Sequence, residues 1–83
     1  ENKPKFTFKE QKEFETIDED ILKLEEKISN LENEMAKNSS NYGKLNELMK
    51  EKEETQNMLD EKYERWEYLN EIAEAIEEYK TNN

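Results

Sequence analysis

From Ile17 onward the apolar residues stand at Ile17, Ile21, Leu24, Ile28, Leu31 and Met35, separated alternately by four and three positions. That spacing holds one narrow apolar stripe on a single side of a helix, the seam through which two helices pack against each other. Between the seam positions lie Glu19, Lys23, Glu25, Glu26, Lys27, Asn30 and Glu32, a solvated face that includes the favourable Glu19 to Lys23 order. The pattern predicts a helix over 17–37, and a helix of this kind needs a partner stripe.

The partner follows in the same chain. Residues 38–43 read Asn-Ser-Ser-Asn-Tyr-Gly, with the only glycine and several residues that favour turns and caps. A second helix is expected over 44–80, its seam formed by Leu45, Leu48, Thr55, Leu59, Trp66, Leu69, Ala73 and Ile76, with Met49, Met58, Tyr63 and Ile72 alongside. Lys52 and Lys62 also fall on the seam spacing; their stems can lie along it while the ammonium groups reach water, which softens the middle of the rod. Antiparallel pairing about the turn sets Met35 against Leu45 and Leu48, Leu24 against Met58, and Ile21 against Leu59.

Composition favours a rod over a sphere. Only 31% of the 83 residues are hydrophobic, too few for a roughly spherical core, whereas a two-helix seam needs about two positions in seven. Ala, Glu, Lys, Leu and Arg make up about half the chain, the signature of long helices.

The segment before Ile17 carries its own helix start. Thr7 with Glu10 fits the Thr-x-x-Glu capping box, which predicts a short helix over 8–15. Thr16 with Glu19 repeats the pattern, and a second start directly after a helix means a kink or a break, which places a bend at 15–18. Helix 17–37 spans about 31 Å and helix 44–80 about 55 Å, so the longer one overhangs. Phe6, Phe8 and Phe14 are the apolar residues left to roof that overhang around Trp66, and Trp66→Ala is expected to melt it. The sequence therefore predicts an all-α fold: an antiparallel two-helix coiled-coil hairpin with a short N-terminal helix packed on the open end. Residues 1–5 form the end of a linker, 6–80 the hairpin domain and 81–83 a disordered tail. The expected core is Phe8, Phe14, Ile21, Leu24, Ile28, Leu31 and Met35 facing Leu45, Leu48, Leu59, Trp66, Leu69 and Ile76.

Most chemistry is excluded by what the chain lacks. It has no His and no Cys, which removes the usual neutral-pH base, the thiolate nucleophile and the common zinc sites. One glycine cannot build a phosphate-binding loop. Glu pairs such as Glu67 with Glu71 are guaranteed by 23 acidic residues and read as solvated faces, so no catalytic or metal site is proposed. Asn38-Ser39-Ser40 fits the glycosylation pattern, a three-residue match common by chance. No apolar stretch approaches the roughly 20 residues needed to span a bilayer. The start, without Met or an apolar leader, is expected to belong to a fragment of something larger.

Charge is unevenly spread. Residues 1–12 carry net +2 and the remainder net −12, giving −10. An acidic rod repels phosphate, so only the amino-terminal segment could grip nucleic acid. There Lys3, Lys5, Lys9 and Lys12 interleave with Phe6 and Phe8, the alternation that such contacts use; a solvated linker and cap is the plainer alternative. Tyr42, Tyr63, Tyr68 and Tyr79 with Trp66 read as core and interface packing rather than a base-stacking platform, because no dense basic track surrounds them.

Two segments carry a family resemblance. Lys5-Phe6-Thr7-Phe8-Lys9-Glu10-Gln11-Lys12-Glu13-Phe14-Glu15 resembles the Lys-Leu-Ser-Tyr-Lys-Glu-Gln-Arg-Glu-Leu-Glu opening of the carboxy-terminal domain of Uup-like ABC-F ATPases, and Glu64-Arg65-Trp66-Glu67-Tyr68-Leu69 is similar to its Glu-Arg-Trp-Glu-Glu-Leu close. The seam residues and Tyr42 in the turn fall in the matching order. The chain departs from the family in having Ile17-Asp18 where many members carry Leu-Pro, and in its acidity.

The resemblance implies a non-catalytic C-terminal appendage on a cytoplasmic ATPase without a membrane domain, of the ribosome-associated translation-factor type; the hairpin itself is expected to be monomeric and to cross no membrane. It further implies contact with DNA, RNA or the ribosome and with the parent cassettes, which would hold ATP and Mg while this segment holds no cofactor. A purely structural coiled coil that joins proteins or dimerises is the alternative.

Overall fold

The computed structural model describes residues 3–82, a rod of 62 × 16 × 15 Å made of two helices, α1 (Phe8–Lys37) and α2 (Tyr42–Asn82). They run antiparallel. Cross-pairs fix the direction: Lys52 of α2 meets Glu32 of α1 at 3.0 Å, Lys62 meets Asp20 at 3.6 Å, and Arg65 meets Glu13 at 2.7 Å. As residue numbers rise along α2, those of their partners fall along α1.

Each helix end is made by local chemistry. Thr7 is the N-cap of α1: its hydroxyl accepts from the Glu10 N–H at 3.1 Å while the Glu10 carboxylate accepts from the Thr7 N–H at 3.0 Å. This is the capping box that the sequence predicts. Upstream, Pro4 biases Lys3 away from helical conformation, so α1 has no route to extend backward through it. At the other end Asn38 closes α1, its N–H bonding to the Glu34 and Met35 carbonyls and its side-chain amide donating to the Glu34 carbonyl at 2.8 Å. Asn41 opens α2, its side-chain oxygen accepting from the Lys44 N–H at 3.1 Å. Gly43 has no positive φ and sits inside the first turn of α2, so the reversal is made by the two asparagines, and α2 starts at Tyr42 rather than Lys44.

No interruption of the helix marks the bend expected at 15–18. Helix α1 is continuous through it, and the separate short helix over 8–15 is simply the first two turns of α1. The physical reason is Ile17, only 1% exposed, whose packing against α2 holds the helical path across the junction. Thr16 does not cap; its hydroxyl turns back to the Glu13 carbonyl at 3.5 Å, the usual fate of threonine inside a helix. Helix also extends through Thr81 and Asn82, where a disordered tail is expected; Asn83, Glu1 and Asn2 lie outside the described residues.

Lengths explain how the open end is covered. Forty-one residues of α2 span about 62 Å and thirty of α1 about 45 Å, leaving about 17 Å. Non-helical residues 3–7, at about 3.3 Å each, cover that distance. They run along α2 as a strap: Phe6 packs on the core and stacks at a tilt on Phe14, ring centres 5.0 Å apart, and the Lys3 ammonium lies 5.9 Å from the centre of the Tyr79 ring.

The core is one seam. Ile17, Ile21, Leu59 and Leu69 form its main cluster with Phe6, Phe14, Leu24 and Ile28 packed against it, and Leu31 and Leu48 are buried nearer the turn. Thr55 is buried too, its hydroxyl donating to the Glu51 carbonyl at 2.8 Å. Met35, Leu45 and Ile76 are half-buried. Two expectations for the core are corrected. Phe8 is 80% exposed, because the chain enters α1 with Phe6 turned to the seam and Phe8 on the outer face. Trp66 is 39% exposed and lies at the seam margin, where its indole N–H donates to Asp18 at 2.9 Å.

Candidate functional site

Polar side chains converge at the open end, where the first turns of α1 face residues 62–68 of α2. The Arg65 guanidinium donates from Nε to one Glu13 oxygen at 2.8 Å and from Nη2 to the other at 2.7 Å, a two-pronged bond. It also lies 4.8 Å from the centre of the Tyr68 ring. The Tyr68 hydroxyl donates to Glu10 at 2.7 Å, and Glu10 in turn caps Thr7. One connected clasp thus runs from Thr7 through Glu10, Tyr68 and Arg65 to Glu13, with the Trp66–Asp18 bond beside it. Farther along the rod Tyr63 donates to Glu25.

Electrostatics follow this wiring. The Thr7 N–H and then the Tyr68 hydroxyl hold the Glu10 carboxyl below the usual carboxylate range, and the Arg65 hydrogen bond does the same for Glu13. Reciprocally, Glu13 raises Arg65, and Glu10 raises the Tyr68 phenol. Near neutral pH Glu10 and Glu13 are carboxylates, Arg65 is a cation and Tyr68 is a neutral phenol. Such an arrangement ties two helices together; it presents no unpaired acid or base to a substrate.

The four lysines read from the sequence as nucleic-acid contacts are all exposed at this end. Lys3 rests over Tyr79 and Lys12 over Phe8, its ammonium 5.6 Å from the ring centre. Lys9 lines a shallow cleft with Thr7, Glu10, Glu13, Lys62 and Arg65. Lys5 stands on the strap, and neither Lys5 nor Lys9 makes an ion pair among the described residues. Phe8, displaced from the core, joins them on the surface.

The clasp itself is not foreseen in the sequence reading, although its members stand in the two segments that carry the family resemblance. Arg65 is the only arginine among 23 carboxylates, and the hairpin register places it opposite the first turns of helix 1. That register is the signal that could have found Glu13.

Two antiparallel helices closed by an interhelical clasp make an all-α hairpin. Among known proteins, the family described as the ABC transporter C-terminal domain matches residues 5–71, and the chain belongs to that family. The matched stretch takes in the whole clasp. Over 73 residues, 88% of its length, the chain is 37% identical to the uncharacterized ABC transporter ATP-binding protein YfmR of Bacillus subtilis (strain 168), and it spans 12% of that relative. No solved structure matches it. The domain is the non-catalytic part of an ABC protein and contains no ATPase cassette. No helix among the described residues is long and apolar enough to cross a membrane.

Proposed function

We propose that this hairpin serves a cytoplasmic ABC-F ATPase of the translation-factor type, touching DNA, RNA or the ribosome through its open end. The observation that carries this reading is the exposed surface at the start of the rod: Phe8 is 80% exposed with the Lys12 ammonium over its ring, Lys9 is exposed on the same helix, and Lys5 is exposed on the strap. Cations near an exposed aromatic ring suit phosphates and unstacked bases. ATP and Mg belong, in this reading, to cassettes outside the chain; the single glycine here is helical and builds no phosphate cradle.

Binding of single-stranded DNA and RNA, measured against salt, tests the proposal. Affinity should fall steeply with salt, and Lys5→Gln with Lys9→Gln should weaken it at every concentration. The structural alternative is favoured by the half-exposed Leu22, Met49 and Met58 along the rod. No binding at low salt, together with a doubled mass in light scattering, would replace the first reading with the second.

A further inference from the structure

The two flanks of the seam are built differently. Along α1, Glu13, Asp20 and Lys27 stand seven residues apart in one row, and each meets an opposite charge of α2: Arg65 at 2.7 Å, Lys62 at 3.6 Å and Glu51 at 3.5 Å. The row on the other side of the seam is Asp18, Glu25 and Glu32, again seven apart. There only Glu32 meets a cation, Lys52 at 3.0 Å. Asp18 instead accepts from the Trp66 indole at 2.9 Å, and Glu25 from the Tyr63 hydroxyl. A neutral donor satisfies an oxygen without cancelling its charge, and neither carboxylate makes an ion pair among the described residues.

Leu22 completes this flank. It stands four residues after Asp18 and three before Glu25, so all three share one face of α1. Its neighbour Ile21 fills the seam, while Leu22 is left 54% exposed, beside a face where Tyr63 is 40% and Trp66 39% exposed. The surface is therefore apolar and aromatic, and it carries two uncancelled negative charges about 10 Å apart along the helix. A second copy of the chain, at net −10, would set these carboxylates against themselves, and a polyanion would be repelled in the same way.

We infer that this flank docks a basic amphipathic helix of a partner protein, its apolar side on Leu22 and two cationic side chains one heptad apart, held by Asp18 with Trp66 and by Glu25 with Tyr63. Each of those two positions offers a cation both a carboxylate and a partly exposed aromatic ring, the combination that arginine suits best. The open-end reading uses other residues and stands or falls separately.

The test titrates the whole chain with a synthetic helical peptide three heptads long, without tryptophan, that carries two arginines seven residues apart with leucine between them. Trp66, the single tryptophan, reports binding by its fluorescence. Leu22→Gln should weaken binding about ten-fold or more, and so should Asp18→Asn with Glu25→Gln, which keeps the acceptor oxygens and removes the charges; neither should abolish the thermal melt. Glu54→Gln with Glu61→Gln takes equal charge from the exposed outer side of α2 and should leave the affinity unchanged. Equal weakening by the two charge variants, or equal binding of a peptide with glutamate in place of the arginines, overturns the docking site in favour of diffuse attraction. Absence of binding, or full binding by Leu22→Gln, also overturns it. A doubled mass of the chain alone in light scattering, returned to a single mass by Leu22→Gln, assigns the flank to a second copy instead.

Discussion

Glu13 and Arg65 are 52 residues apart in the chain and joined side by side through two hydrogen bonds of 2.7 and 2.8 Å. This pair fixes the register of the two helices where α1 begins, four residues before the deeply buried Ile17.

Its pH dependence has a definite sign. Glu10 and Glu13 both ionise at lower pH when folded than the ordinary value of 4.5. Groups of this kind stabilise the fold above their unfolded pKa, and the contribution fades as pH falls through the folded one. Protonation also relieves self-repulsion in a chain at net −10, so the measurement is a difference. Glu13→Gln should melt a few degrees (~2–5 °C) below wild type at pH 7, with the gap closing as pH falls below 4.5 and through the lowered folded value. A gap that persists unchanged in acid would mean that the charge of Glu13 is irrelevant.

Burial reverses the ranking of two residues at the open end. Leu69 is fully buried and Trp66 is 39% exposed. Leu69→Ala should cost about 2–5 kcal/mol, comparable to the whole stability of so small a domain. Trp66→Ala should cost less, and Trp66 fluorescence should show partial contact with water. Urea melts of the two variants decide the order.

The two threonine signals can be separated. Thr7→Ala removes a working cap and should destabilise by about 1 kcal/mol, whereas Thr16→Ala, inside a continuous helix, should be neutral or slightly stabilising. Equal losses would restore a helix start at Thr16.

Gly43→Ala should stabilise the hairpin by about 0.5–1 kcal/mol. The glycine is helical, and an added Cβ would meet only the Asn41 side-chain oxygen at 3.8 Å. A drop in melting temperature would show that the turn does need glycine.

Much of this fold is legible in the chain because a heptad stripe and a polar turn leave few choices. The seam from Ile17 to Met35, the reversal after Lys37 and the opposed polarity all follow from spacing and length. What spacing does not show is which of two competing signals prevails. The Thr16–Glu19 pattern is a valid start read locally, and only the packing of Ile17 on α2 cancels it. Phe6 and Phe8 are indistinguishable as letters; one lies on an extended strap and the other on a helix, so they face opposite ways. The clasp was hidden for a different reason: with 23 carboxylates on offer, nothing in a list of residues ranks Glu13 as the partner of Arg65 until the register is known.

The strap of residues 3–7 gives the molecule a mechanical asymmetry. A tether pulling Lys3 away from the rod loads its contacts one after another, first the Tyr79 ring and then Phe6, as in unfastening a zip. The two helices, loaded along their shared axis, resist together in shear. Tension arriving from that side would therefore lift the leading edge and bare the Phe14 ring long before it unravelled the hairpin.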